Sequence, residues 1–184
     1  MTVTATNLTQ GPGTLYTGAF GVAEPADTAV ASPPGAGWTD IGGTSDGVTL
    51  NVMQEFSELT VDQIVEVPGR RLTKRDASIA TNMAEPTIEN LAIAMNGATA
   101  AAGAGYKSLE PTYATSATQP TYKALLFDGY APGGFVRRVI LRKGLQTSNI
   151  EFAYKKDTQT VFTVSFNAHY VSSSIAPFKV IDGV

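Results

Sequence analysis

The sequence predicts a mainly β chain with one flanking α-helix. Apolar and polar residues alternate with period two along several stretches, the mark of strands with one buried face. Gly 18 and Pro 10, with abundant Thr and Ala, give the turn-rich composition of such a chain. Between Thr87 and Gly97 alone do helical period and helix-end signals coincide. At 184 residues the chain has the size of one domain able to bury a core. The expected organisation is a flexible N-terminal arm over 1–13 and a single domain over 14–184, with long loops at 23–37 and 97–120.

In chain order, residues 1–13 are polar and end in Gly11-Pro12-Gly13, which suits a mobile arm. Thr14 to Val22 alternates as a strand weakened by glycines. The Pro, Gly, Ser and Ala of residues 23–37 read as a surface loop that ends at Trp38. From Gly47 to Phe56, Val48, Leu50, Val52 and Phe56 share a side; from Leu59 to Val67, Leu59, Val61, Val65 and Val67 share one register and Glu58, Asp62 and Glu66 line the other. A short link between these runs predicts that they pair as an antiparallel hairpin.

Pro68-Gly69 breaks the pattern, and Ala77, Ile79, Thr81 and Met83 bring a strand from Thr73 to Met83 back toward the core. In the helix, Thr87 is placed to cap, Glu89 sits where the dipole favours an anion, and Gly97 stops the run. Ile88, Leu91, Ala92 and Met95 form its expected buried stripe. Residues 97–120 lack bulky apolar groups and read as a loop long enough to need a use. Strands follow at Tyr122 to Phe127, Phe135 to Leu141 and Asn149 to Tyr154. From Thr160 to Tyr170, Phe162, Val164, Phe166, Ala168 and Tyr170 share one face, the clearest core strand, and the tail can add a short last strand.

Charge is lopsided although the net is only -3. Residues 1–69 hold no Lys or Arg but carry Glu24, Asp27, Asp40, Asp46, Glu55, Glu58, Asp62 and Glu66; all 13 basic residues follow. Such a split predicts either a dipolar surface or complementary faces between copies. The candidate acidic surface is Glu55, Glu58, Asp62 and Glu66; the candidate basic one is Arg70, Arg71, Lys74, Arg75, Arg138 and Arg142. The chain has no cysteine, so thiolate and disulfide chemistry are excluded. With no signal-peptide pattern and no apolar run of membrane-spanning length, a cytoplasmic origin without a membrane anchor is expected.

No enzyme emerges. Gly103 to Ser108, GAGYKS, resembles a phosphate loop but has Tyr106 before the lysine and no strand ahead of it. His169 is the single histidine, on the polar side of its strand, which excludes a multi-histidine metal site and a histidine triad. Asp40 and Asp46 read as turn residues, the acidic run as a solvated or interface stripe in place of a glycosidase pair, and Trp38 as an anchor. The basic residues lack interleaved aromatics for nucleic-acid bases. No catalytic, metal or cofactor residue is expected.

The order GWTDIGGTSDGVTLNV, the acidic hairpin with VDQ at Val61 to Gln63, MAEPTIENLAIAMNG, and VFTVSFNAHYVSSSIAPFKV resembles the major tail (tail tube) proteins of long-tailed, non-contractile bacteriophages, of siphophage type. The resemblance runs from about Thr14 onward. It implies a β-sandwich with a flanking helix, in which six copies join their sheets into one large β-barrel ring and rings stack into a tube for genome delivery. It further implies a virion protein assembled in the host cytoplasm, with itself, a tape-measure protein and a tail terminator as partners and with DNA passing unread through the lumen. The acidic hairpin is then expected to face the lumen or a basic neighbour, and the arm and both long loops to make contacts between copies. The alternatives are a monomeric carbohydrate-binding or adhesin-like sandwich, which needs an exposed aromatic platform, and a tail terminator or connector that makes a ring but no tube.

Overall fold

Period-two alternation becomes strand in the computed structural model, which describes residues 3–184. Strands β1 (Thr14–Ala19), β2 (Trp38–Asp40), β3 (Thr44–Leu59) and β4 (Gly69–Met83) lead to helix α1 (Ile88–Ala94). After it come β5 (Ala98–Gly103), β6 (Tyr106–Pro111), β7 (Lys123–Tyr130), β8 (Val136–Gln146), β9 (Phe162–Ala168) and β10 (Phe178–Asp182). The mainly β class with one α-helix is therefore the observed one. Met1 and Thr2 of the expected arm lie outside the described residues; the rest of it is exposed and includes a short 3-10 turn at Ala5–Asn7.

Eight strands form one antiparallel sheet in the order β2-β1-β7-β8-β9-β4-β3, with β10 also on β8. Strand β8 makes this possible by dividing one edge: Arg137 to Leu141 pair with β10, and Gly144 to Gln146 pair with β9. A register shift between Lys123 and Leu125 on β7 accompanies the change of partner. The sheet thus turns back on itself as two layers, β2-β1-β7-β8-β10 and β9-β4-β3. Leu15, Leu125, Val139 and Leu141 from the first meet Ile79, Met83, Phe162, Val164 and Phe166 from the second in one core.

The middle of the first layer, in β7 and β8, is buried on both faces. Leu126 and Ile140 pair on the side away from Leu125 and Leu141, yet both are fully buried. Residues 22–36 cover them, with Val30 buried in the cover. Arg138 fastens it: Nε and Nη2 donate to Asp128 at 2.6 Å each, Nη2 to the Ser32 carbonyl at 2.7 Å, and Nη1 to the Ala29 carbonyl at 3.3 Å. Trp38 pins the far end by donating from Nε1 to the Ala23 carbonyl at 3.0 Å. The loop at 23–37 is largely exposed, as expected of a surface loop, and through Val30, Arg138 and Trp38 it also serves as a lid over the sheet.

Four expectations change. The hairpin is β3 with β4, and 60–68 is its irregular tip, so the predicted strand Leu59 to Val67 is absent. Pairing 47–56 with 59–67 would set acid among acid; the observed register sets Glu58 on Arg70 and Glu55 on Lys74. Residues 98–111, expected as loop, form the β5-β6 hairpin, tied to α1 by Lys107 on Glu89 at 2.5 Å. Asn149 to Tyr154 is irregular, although Ile150 and Phe152 still pack on the core. The helix buries Asn90 and Ala94, leaving Met95 exposed, because Asn90 Nδ2 donates to the Ile41 and Glu85 carbonyls at 2.8 and 2.9 Å and turns that face inward. The cap itself is as expected, with Asn90 N–H donating to Thr87 Oγ1 at 3.2 Å.

Candidate functional site

The β3-β4 hairpin outruns the body. Strand β9 pairs with β4 only from Ser78 to Met83; Ala77 is still buried, and farther out β3 and β4 pair only with each other. At about 3.3 Å per residue, the unsupported ribbon from Val52 to Leu59 is roughly 25 Å long. A two-stranded ribbon is at best marginally stable alone in water. Its local devices are a bulge and three ion pairs. Between Glu55 and Phe56 the register skips Thr73, whose Oγ1 donates to the Glu55 carbonyl at 3.0 Å. Arg70 meets Glu58 at 2.7 Å, and Lys74 meets Asp76 at 2.6 Å and Glu55 at 3.7 Å. Being exposed to solvent, these pairs contribute little to stability. Hydrogen bonding and attraction from Asp76, and attraction from Glu55, push the Lys74 ammonium above its ordinary pKa.

One ribbon face continues the core. Leu50 opposite Ile79 and Val52 opposite Ala77 lie on the inward side, and the alternation carries Phe56 and Leu72, a direct pair, onto the same side beyond the body. Phe56 is 54% exposed, and Val52 and Leu72 are exposed with it. At the tip, Val61, Ile64 and Val67 are exposed, and Val65 is 99% exposed. On this face Gln54 with Arg75 and Glu58 with Arg70 flank the Phe56–Leu72 pair, so the pair is a local apolar patch that its own chain leaves uncovered.

The sequence candidates divide accordingly. Glu55, Glu58, Asp62, Glu66, Arg70, Arg71, Lys74 and Arg75 are all exposed on the ribbon or its tip. Among the described residues no ion pair engages Asp62, Glu66, Arg71 or Arg75. Arg138 and Arg142 are corrections to the basic surface. Arg138 is fully buried on Asp128, and Arg142 is spent on Glu24 at 2.5 and 3.0 Å and on the Ala176 carbonyl at 2.7 Å. Much of the charge split is answered inside one chain, since Lys179 likewise takes Asp27 at 2.6 Å.

The remaining bare surface is the outer side of β9-β4-β3. Register puts Thr49 and Asn51, Ser78 and Asn82, and Ser165 and Asn167 on that side, with no Lys or Arg among them. Asp46-Gly47, expected as a turn, is a bulge within β3, with positive φ at both residues and Asn82 Nδ2 donating to Asp46 at 3.0 Å. Asp40 does make its turn, accepting from Gly42 N–H at 2.8 Å. His169 is half-buried, edge-on to Tyr122. Among the described residues no group of His, Asp and Glu is arranged to hold a metal, and no helix is long and apolar enough to cross a membrane. Sequence reasoning missed an apolar cavity of about 480 Å³ between lid and tail, walled by Phe20, Val22, Trp38, Ile140, Val171 and Ile175. Its walls come from five separate segments, which no local pattern links.

A family model described as phage tail tube protein matches residues 4–182. The chain belongs to the phage tail tube proteins. No curated protein matches it. As a tail tube protein it is a structural component of the virion tail, in a family that works by building a tube with other tail components. The family is generally without catalysis.

Proposed function

We propose that this tail tube protein closes into rings of six that stack into the conduit for genome delivery in a siphophage tail, and that the β3-β4 ribbon is the surface by which one copy engages the next. The carrying observation is the pair Phe56 and Leu72, apolar, core-side and uncovered on an unsupported ribbon. A ring needs one patch to meet a different patch on its neighbour, and the free edge of β3 offers strand pairing as well. Residues 14–184 act as one domain, with 1–13 as an arm between copies. The uncharged face bearing Thr49, Asn51 and Ser165 suits a channel wall, because duplex DNA is retained chiefly by Lys and Arg. Assembly takes place in the host cytoplasm on a tape-measure protein and ends at a tail terminator.

The test is the double variant Phe56→Asp with Leu72→Asp. Both sites lie outside the core, so far-ultraviolet circular dichroism and melting stay near those of the unsubstituted chain, while tubes disappear from negative-stain micrographs. Normal tubes from this variant would remove the ribbon from the account.

A further inference from the structure

The tip of the ribbon and the cavity under the lid are complementary, and nothing in one chain joins them. The tip, residues 60–67, offers Val61, Ile64 and Val65 with only acidic charges, Asp62 and Glu66, beside them. The cavity is largely apolar, and the two charges in its wall, Arg142 and Glu24, are paired with each other. Beside it Lys143, in no ion pair among the described residues, holds its Nζ 5.4 Å from the centre of the Phe20 ring that helps form the cavity and 4.5 Å from that of Tyr122. The cavity's volume of about 480 Å³ accommodates two branched aliphatic side chains. The exposed arm with Val3 and Leu8 carries no charged side chain to set against Lys143.

We infer that the cavity receives the ribbon tip of a second copy, Ile64 and Val65 entering between Phe20, Trp38 and Ile175 while Asp62 and Glu66 meet Lys143. This rests on the assembly reading above and specifies its contact. Register gives the direction. The ribbon leaves the sheet beyond Ser78, which pairs with Asn167; Ala168 pairs with Gly144, Gly144 with Lys123, and Lys123 with Ala19, next to Phe20. Ribbon root and cavity therefore share one end of the sheet. A ribbon roughly 25 Å long that leans sideways covers most of a domain's width and arrives at the same level of the adjoining copy. The contact joins lateral neighbours within a ring, in one direction, as a closed heterologous interface requires.

The chain contains no cysteine, so paired cysteines report the contact without background. Val65→Cys with Ile175→Cys, assembled and then treated with an oxidising catalyst, yields a denaturing-gel ladder of dimers and higher multimers, whereas either cysteine alone yields at most traces. Tubes that form but give only monomer bands overturn the tip-and-cavity contact and leave tube building intact; a ladder from Val65→Cys alone overturns it in favour of a tip-to-tip contact. A second measurement covers the case in which the paired cysteines disturb assembly. Asp62→Lys with Glu66→Lys raises the protein concentration needed for tubes at least tenfold, and Lys143→Glu in the same chain recovers most of it. No change in the tip variant, or no recovery, refutes the contact. Absence of tubes from the unsubstituted chain refutes the assembly reading itself.

Discussion

Arg138→Met is the substitution that most directly probes how the two-faced layer is held. The guanidinium donates two bonds to Asp128 and one each to the Ser32 and Ala29 carbonyls, and its side chain is 1% exposed. Methionine keeps most of the apolar stem but withdraws every donor. Asp128, 16% exposed, is then left as a largely uncompensated carboxylate, and two lid carbonyls lose partners. Removing one member of a buried pair costs about 3 to 5 kcal/mol. For a chain of this length each kcal/mol moves the melting point by roughly 2 to 4 °C, so a fall of about 10 °C is expected. Differential scanning calorimetry measures the fall, and hydrogen exchange locates it in residues 22–36. Adding Asp128→Leu removes the stranded charge and recovers at least half of the loss. A fall under about 2 °C, or unchanged protection of the lid, would refute the role given to Arg138.

Two further outcomes follow from single contacts. Asn90→Leu leaves the Ile41 and Glu85 carbonyls without their side-chain donor and lowers stability by about 1 to 3 kcal/mol despite the more apolar residue, as measured by urea unfolding. The hydrogen bond from Arg137 holds the Asp182 carboxyl below its usual pKa, so that its small contribution is present above the ordinary carboxylate range and is lost as pH falls through the lowered value. Acidification then raises amide exchange in β10 first, and Asp182→Asn, which has no such proton to take up, shows no acid-dependent step there.

Much of the architecture was legible because it is local. Strand β9 follows from Phe162, Val164 and Phe166, and the α1 cap follows from Thr87. The doubly buried layer was also written in the apolar runs Ala124 to Phe127 and Val139 to Leu141, since a strand covered on both faces loses its alternation. The hairpin partner was misjudged because alternation is equally strong from Leu59 to Val67, and only charge distinguishes the two pairings. Glu58 and Arg70, and Glu55 and Lys74, stand almost evenly on either side of Ile64, which marks the tip. The helix face was misjudged for a different reason. Counting apolar residues favoured Leu91 and Met95, while a buried asparagine that satisfies two backbone carbonyls decided the orientation.

Arg138 shows the limit of local reading. In sequence it is one of two adjacent arginines, yet Arg137 lies outside on Asp182 and Arg138 lies inside on Asp128. Neighbouring strand residues point to opposite faces: Arg138 lies under the lid, whereas Arg137, on the side of Val139 and Leu141, stands at the margin of the core. The ribbon's exposure was likewise not visible locally, because it depends on β9 ending level with Ser78.

The central claim is that this chain builds a tube by itself. Negative-stain electron microscopy of the purified unsubstituted protein, over a range of concentrations at physiological salt, tests it most directly. The account predicts hollow tubes of uniform diameter with sixfold end views. Lone rings at every concentration, or a featureless monomer, would contradict it.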